Sequence, residues 1–145
     1  MIYNEWYEEH AKKHATIMKK LEGLDEYDIV QYFIFENMVE KEPDFCELYK
    51  TNTKCHEMYE LNCYMCGCPH FRFNQTPQKQ DDLEFHSICS ISSKRGKRTV
   101  REVGDVAEVH QDCSGCTIPH GEDYIFSNFD EDWLEMMKNV KKLDL

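Results

Sequence analysis

Residues 62–70, NCYMCGCPH, place three cysteines, a proline and a histidine in one short stretch. Cysteine thiolates bind metal ions, hold iron–sulfur clusters and exchange disulfides, so this stretch indicates one of these chemistries. A Cys-x-x-Cys pair lies at 63–66 (CYMC), and a second lies at 113–116 (CSGC). This spacing lets two sulfurs converge on one ion from a tight turn, at about 2.3 Å from zinc. Two such pairs in one short chain indicate metal binding more strongly than one pair does.

The other candidate ligands lie in the same part of the chain. All eight cysteines fall between residues 44 and 120, together with most of the histidines. The soft donors there are Cys46, Cys55, His56, Cys63, Cys66, Cys68, His70, Cys89, His110, Cys113, Cys116 and His120. Because a tetrahedral ion takes four ligands, eight thiols with one or two histidines would fill two sites.

These motifs resemble a known family. Cys55-His56, NCYMCGCP at 62–69 and DCSGCTIPH at 112–120 are together similar to the cysteine-rich small domain family, zinc-finger-like proteins to which metal binding is attributed. The resemblance covers about residues 44–126 and implies ligation by Cys55, His56, Cys63, Cys66, Cys68, Cys113, Cys116 and His120. The chain departs from the family pattern in three places. Cys89 matches the family's Cys-Gly-Gly only loosely, and the spacing from Cys46 to Cys55 is longer than the family's. Residues 74–84 resemble an insertion. With Cys46 and Cys89 included, ten ligands are predicted.

Zinc and an iron–sulfur cluster are the two candidate cofactors. Cys-x-x-Cys-x-Cys-Pro is similar to ferredoxin runs that end in Cys-Pro, but its third cysteine follows after one residue instead of two. Thiolate and imidazole together suit zinc, whereas all-thiolate sets suit clusters. We therefore predict two zinc ions, with an iron–sulfur redox or electron-transfer protein as the alternative.

The crowding at 62–70 predicts a junction between the two sites. Cys63 and Cys66 can meet one ion, and a third ligand from the same short stretch would be crowded. We expect Cys68 to serve the second ion, with Gly67 supplying the backbone freedom for the change of direction. Pro69 would make the exit rigid, and His70 would not be a ligand.

The motifs of two enzyme classes that use clustered cysteines fit the sequence less well. A zinc nucleobase deaminase needs His-x-Glu followed by Pro-Cys-x-x-Cys, but Glu57 follows His56 directly and Asp112 precedes Cys113. A thioredoxin-like site needs one Cys-x-x-Cys after a strand, whereas both pairs here lie among other ligands. Closed four-ligand sites leave no position for a substrate. A non-catalytic protein is favoured over an enzyme, with a structural metal role in a protein-interaction or regulatory module.

Helices are predicted on both sides of the cysteine-rich region. The first begins near Asn4 and has an apolar stripe with histidines on it; the second opens at Asp25 and ends at Pro43. We interpret His10 and His14 as half-buried structural residues. The weaker alternative is a metal site that these histidines form with Glu36. A last helix is capped by Asp130, and its apolar stripe is Trp133, Met137 and Val140.

The fold class predicted from this pattern is an α-rich small metalloprotein. It is one domain over 1–145, with a helical hairpin (1–43), a Cys/His metal-binding region (44–120) and a C-terminal helix (121–145). The helices would pack around an irregular knuckle that can include a short β-hairpin.

Charge limits the partners. The formal net charge is −11, which disfavours nucleic acid and anionic lipid. The basic segment KRGKRTVR at 94–101 is interpreted as a solvated hairpin turn at Gly96, with a phosphate or RNA contact as the alternative. No apolar run reaches membrane length, and the N-terminus lacks a signal-peptide pattern. We expect a cytoplasmic protein with an unidentified protein partner.

Overall fold

The structure, a computed structural model, describes residues 3–89 and 93–138. Its elements in chain order are the helices α1 (Tyr3–Lys20), α2 (Glu26–Tyr32) and α3 (Phe35–Lys41), a 3₁₀ helix at Glu47–Thr51, the strands β1 (Phe71–Gln80), β2 (Leu83–Cys89), β3 (Lys97–Val103) and β4 (Val106–Asp112), a 3₁₀ helix at Ile118–His120, and the helices α4 (Glu122–Ser127) and α5 (Trp133–Met137). In the two ranges described, no helix combines the length and the apolar character that crossing a lipid bilayer requires.

A four-stranded mixed sheet overturns the α-rich prediction. The strand order is β1-β2-β4-β3. β1 pairs antiparallel with β2, β2 parallel with β4, and β3 antiparallel with β4. The protein therefore has an α/β fold. The strands escaped prediction because they are polar on one face or both, and β3 is exposed along its whole length.

The turn predicted at Gly96 was also wrong. Gly96 precedes β3, and the hairpin turn lies at Gly104-Asp105, where Val103 pairs with Val106. Gly104 has a φ of +63°. Gly-Asp between two segments that alternate apolar and polar residues is a known hairpin signal, so this turn could have been predicted from the sequence.

The second predicted helix is broken in the middle. Asp25 caps its start as predicted, accepting a hydrogen bond from the backbone N–H of Asp28. The helix then stops at Tyr32, and the chain bonds to the segment that leads into the first Cys-x-x-Cys pair. Phe35 N–H donates to the Leu61 carbonyl (2.9 Å), and Cys63 N–H donates to the Phe33 carbonyl (2.8 Å). The break thus fixes the position of Cys63.

Helix α1 supports the same segment from its buried face. His10 and His14 are fully buried, and His14 Nε2 donates to the Tyr64 carbonyl at 3.1 Å. Burial lowers the pKa of His10 to about 3 and that of His14 to about 4, so both rings are neutral at pH 7. The alternative metal site fails because Glu36 is 62% exposed and pairs with Lys54.

The C-terminal helix is shorter and begins later than predicted. Asp132, rather than Asp130, caps α5 by accepting a hydrogen bond from Leu134 N–H (3.0 Å). Trp133 and Met137 are buried in the main core as predicted. Val140 lies outside the described residues, as does the end of the predicted 121–145 segment.

Gly67 lies where this core meets the cysteines. It has a φ of +106°, and a Cβ atom there would lie 2.9 Å from Trp133 Cζ2 and 3.2 Å from Trp6 Cη2. Glycine is therefore required at position 67 for two reasons. Its positive φ disfavours other residues, and the two indole rings leave no room for a side chain.

We expect Gly67→Ala to lower the free energy of unfolding by about 1–3 kcal/mol more than Gly23→Ala does, because only position 67 is overpacked. Gly23 is the matched control, since it also has a positive φ (+89°) but nothing lies within 4 Å of its added Cβ. Urea unfolding of both variants, followed by tryptophan fluorescence, measures the difference. Equal destabilisation would contradict the packing role of Gly67.

Candidate metal centre

The two Cys-x-x-Cys pairs form the same kind of turn. Cys66 N–H donates to the Cys63 carbonyl (3.2 Å), and Cys116 N–H donates to the Cys113 carbonyl (3.0 Å). A bond from residue i+3 back to residue i closes a tight turn, which is the local geometry that lets paired thiols share an ion. The first turn is held further by Trp133, whose Nε1–H donates to the Cys66 carbonyl at 3.0 Å.

The chain reverses direction between Cys66 and Cys68. Gly67 has a φ of +106° and Cys68 a φ of +59°, and Cys68 N–H donates to the Met65 carbonyl at 3.1 Å. Two successive residues in the left-handed region turn the backbone sharply. Cys66 and Cys68 consequently face different groups of thiols, although one residue separates them.

Four thiols near the helices form the first group, here called the helical set: Cys46, Cys55, Cys63 and Cys66. Burial, together with the charges of other thiols in the set, raises the pKa of Cys63 to about 12 and that of Cys55 to about 11. Burial likewise raises the pKa of Cys66 well above its usual value, with added contributions from Cys63, Cys46 and Cys55. We group the four thiols on these electrostatic contributions, which fall off with distance.

The other four thiols form the sheet set: Cys68, Cys89, Cys113 and Cys116. Burial raises the pKa of Cys113 to about 11, and the charges of Cys68, Cys116 and Cys89 add to this effect. The pKa of Cys68 is raised by burial and, to a smaller extent, by Cys89 and Cys116.

Sheet topology explains the composition of the sheet set. β2 and β4 are parallel, so both end at the same edge of the sheet. Cys89 is the last residue of β2, and Cys113 directly follows β4. β1 runs antiparallel to β2 and starts at that edge, with Phe71 paired to Cys89. Cys68, just before β1, therefore arrives beside the other two.

The two sets meet at one cavity of about 210 Å³. Its wall includes Cys55 and Cys66 from the helical set and all four thiols of the sheet set. His56, His70 and His120 also border it. The predicted ligands Cys46 and Cys63 belong to the helical set but do not line this cavity.

Two histidines are oriented towards Cys55. His56 Nδ1 lies 3.1 Å from Cys55 Sγ, and His120 Nε2 lies 3.5 Å from the same sulfur. The donor atoms of the three residues all lie within 4.8 Å of one another. Among the described residues, this is the one group of three predicted ligands whose donor atoms all come this close.

The outer ring nitrogens fix the tautomers of these histidines. His56 Nε2 lies 2.9 Å from the Cys113 carbonyl, and His120 Nδ1 lies 2.9 Å from the Asn62 carbonyl. A carbonyl oxygen only accepts, so each outer nitrogen donates and, in the neutral ring, leaves a lone pair on the inner nitrogen. Burial lowers the pKa of His120, which favours the neutral ring. Metal-binding histidines show this same pattern.

His70 has a different partner. Its Nε2 is hydrogen-bonded to the hydroxyl of Tyr124, while its backbone N–H donates to Cys68 Sγ at 3.4 Å. The expectation that His70 is not a ligand stays a prediction, and the Tyr124 contact is compatible with it.

Three of the thiols, Cys55, Cys63 and Cys113, lack the lowered pKa of a catalytic nucleophile. A reactive cysteine has a pKa below its usual value because a cation or helix N-terminus stabilises the thiolate. Here the pKa values of Cys55, Cys63 and Cys113 are all raised to about 11 or 12. All eight cysteines are free, and grouped thiols of this kind can bind a metal ion once they have lost their protons.

One further group was missed by the sequence analysis. His86, Glu108 and His110 also bring their donor atoms within 4.8 Å of one another. His110 had been considered only as a soft donor, and His86 not at all. The sequence contains Glu-x-His on both β2 and β4, which places each pair of side chains on one face of its strand. These pairs predict a common site only when the two segments are known to be neighbouring strands.

Comparisons with known proteins add no relative. No family model matches the chain, and no curated protein or solved structure matches it at a significant level. The similarity to the cysteine-rich small domain family therefore stays a prediction from the motifs, and the assignment of function depends on the site itself.

Proposed function

We propose that this chain is a small metal-binding protein with two zinc sites, which have a structural role in a protein-interaction or regulatory module. The observation that carries the proposal is the grouping of six cysteines around one cavity, beside the cluster of Cys55, His56 and His120, whose donor atoms lie within 4.8 Å of one another. Four is the coordination number of structural zinc. A chain that used its cysteines only to fill a core would have no reason to group them in this way.

The donors favour zinc for the first site. The helical set together with His56 and His120 offers six donors, more than one tetrahedral ion takes. Mixed thiolate and imidazole donors suit zinc, and both histidines already present a lone pair towards Cys55. The sheet set offers four thiols and no histidine, so it suits either zinc or an all-thiolate cluster.

The sheet gives a reason for a structural role. Among the described residues, its own buried apolar cluster consists of Phe85, Ile88 and Val109, whereas the helical core is far larger. Three apolar side chains stabilise a four-stranded sheet poorly, since burying each contributes about 1.5–3 kcal/mol. A structural zinc ion contributes roughly 10–16 kcal/mol in small zinc-finger peptides. An ion at the edge formed by Cys89 and Cys113 would therefore stabilise the sheet.

Partner and compartment follow from the same chemistry. Thiols that act as ligands must stay reduced, which favours the cytoplasm. The net charge of −11 disfavours nucleic acid. Tyr27 and Tyr59 are 60% and 94% exposed and line one surface depression. Exposed tyrosines are typical of protein interfaces, so a protein is the partner class that we propose.

The alternative is an iron–sulfur redox or electron-transfer protein. The cavity between the two sets favours it, because six cysteines border one space of about 210 Å³. Cluster ligation uses cysteine thiolates in such arrangements. This alternative shares the metal-binding thiols with the zinc proposal and differs only in the group that they hold.

Metal analysis and a visible spectrum of anaerobically purified protein separate the two. The zinc proposal predicts a colourless protein with two zinc ions per chain, because zinc has a filled d shell. Visible charge-transfer bands together with iron and sulfide would support the alternative instead. A protein free of tightly bound metal after purification with excess zinc and iron would contradict both.

Cys66→Ser and Cys68→Ser test the division into two sets. We expect each variant to lose one of two ions, because each removes a ligand from a different site, and a double variant to lose both. Ser114→Ala is the control, since it changes an exposed hydroxyl within the second turn without removing a thiol. Elemental analysis after dialysis gives the stoichiometry. Two retained ions in Cys68→Ser would show that Cys68 is not needed for a second site.

A further inference from the structure

The polar face of the sheet carries donors that are separate from the thiols. His86 lies on β2, while Glu108 and His110 lie two residues apart on β4 and so point to the same side. β2 and β4 are parallel neighbours, with Glu84 opposite Glu108 and Phe85 opposite Val109. One residue further along, His86 lies beside His110. The donor atoms of His86, Glu108 and His110 are consequently within 4.8 Å of one another.

The two imidazoles are held close and one of their nitrogens is unsatisfied. The rings of His86 and His110 stack with centroids 4.8 Å apart and an angle of 18° between their planes. His86 Nε2 is buried from solvent and has no hydrogen-bond partner among the residues that the structure describes. Buried polar atoms nearly always have a partner. An unpaired nitrogen here is therefore available to bind a metal ion.

Glu108 supplies the anionic donor. Its Oε2 lies 3.4 Å from His110 Nε2 and 3.0 Å from Arg101 Nη2. A glutamate carboxylate is ionised at neutral pH, so Glu108 offers an anionic oxygen. The side chain of Arg101 is 73% exposed, and exposed ion pairs of this kind are weak. An ion could therefore displace Arg101 from Glu108 at small cost.

We propose that His86, Glu108 and His110 form a third metal site, for a divalent transition-metal ion. Two imidazoles and one carboxylate suit zinc, nickel, copper and iron, and this donor set leaves coordination positions open for water or another ligand. In that respect the site would differ from the closed thiol sites. It shares no residue with either thiol set, so it stands whether or not they bind metal.

The test is a titration with Ni²⁺ of the full chain whose thiols have first been saturated with zinc and dialysed, observed by NMR of the histidine side chains. Nickel is paramagnetic, so its binding broadens the signals of the groups that hold it. We expect the ring signals of His86 and His110 to disappear at one equivalent. Thiol ligation would appear separately as sulfur-to-metal charge-transfer absorption, which distinguishes failure of this site from failure of the thiol sites.

Two glutamate variants supply the matched comparison. Glu108→Gln should weaken nickel binding at these rings by about tenfold or more, since loss of even an outer-shell partner costs roughly 10–100-fold. Glu102→Gln should leave the affinity unchanged, because Glu102 is exposed on β3 and lies opposite Ala107. Equal affinity in Glu108→Gln and the wild type, or broadening confined to residues near the thiols, would overturn the proposal.

Arg101→Gln tests the site in the opposite direction. It removes the cation that competes for Glu108, so we expect a few-fold higher nickel affinity. Retained amide chemical shifts of the sheet in this variant show that the gain does not come from an unfolded chain. Unchanged or weaker binding in Arg101→Gln would contradict the assignment of Glu108 as a ligand.

Discussion

The backbone reversal at Gly67 and Cys68 is the constraint on which the rest of the structure depends. Cys68 adopts a left-handed conformation, which costs a residue other than glycine roughly 1–2 kcal/mol. Such strain persists only where the surroundings enforce it. Here Trp6 and Trp133 close around Gly67, and the following residues enter β1 at once. The reversal sends neighbouring thiols to opposite sides, one set beside the helices and one at the edge of the sheet.

The two sides of the reversal are stabilised by different means. The helical side has a continuous aromatic core in which His14, Phe33 and Tyr64 pack face to edge or stacked. The sheet side has a buried cluster of three apolar residues and an exposed edge strand. Side-chain burial therefore explains the stability of the helical layer, whereas the sheet buries a much smaller apolar cluster of its own.

The sequence was most informative where local chemistry decides the structure. Asp25 as a cap, the tight turns of both Cys-x-x-Cys pairs and the change of direction at Gly67 depend on a few neighbouring residues, and all three are present. Ion binding itself stays a prediction. The sheet was missed because its strands carry little apolar alternation, and β3 is exposed throughout. The break after Tyr32 was missed because its cause, pairing with residues 61–63, is distant in sequence.

Anomalous diffraction from a crystal of the purified protein, recorded at the absorption edge of its metal, tests the central claim most directly. The account predicts two separate peaks flanking Gly67, one at about 2.3 Å from Cys66 Sγ and the other at a similar distance from Cys68 Sγ. A single peak bonded to both of these sulfurs would contradict the division into a helical set and a sheet set.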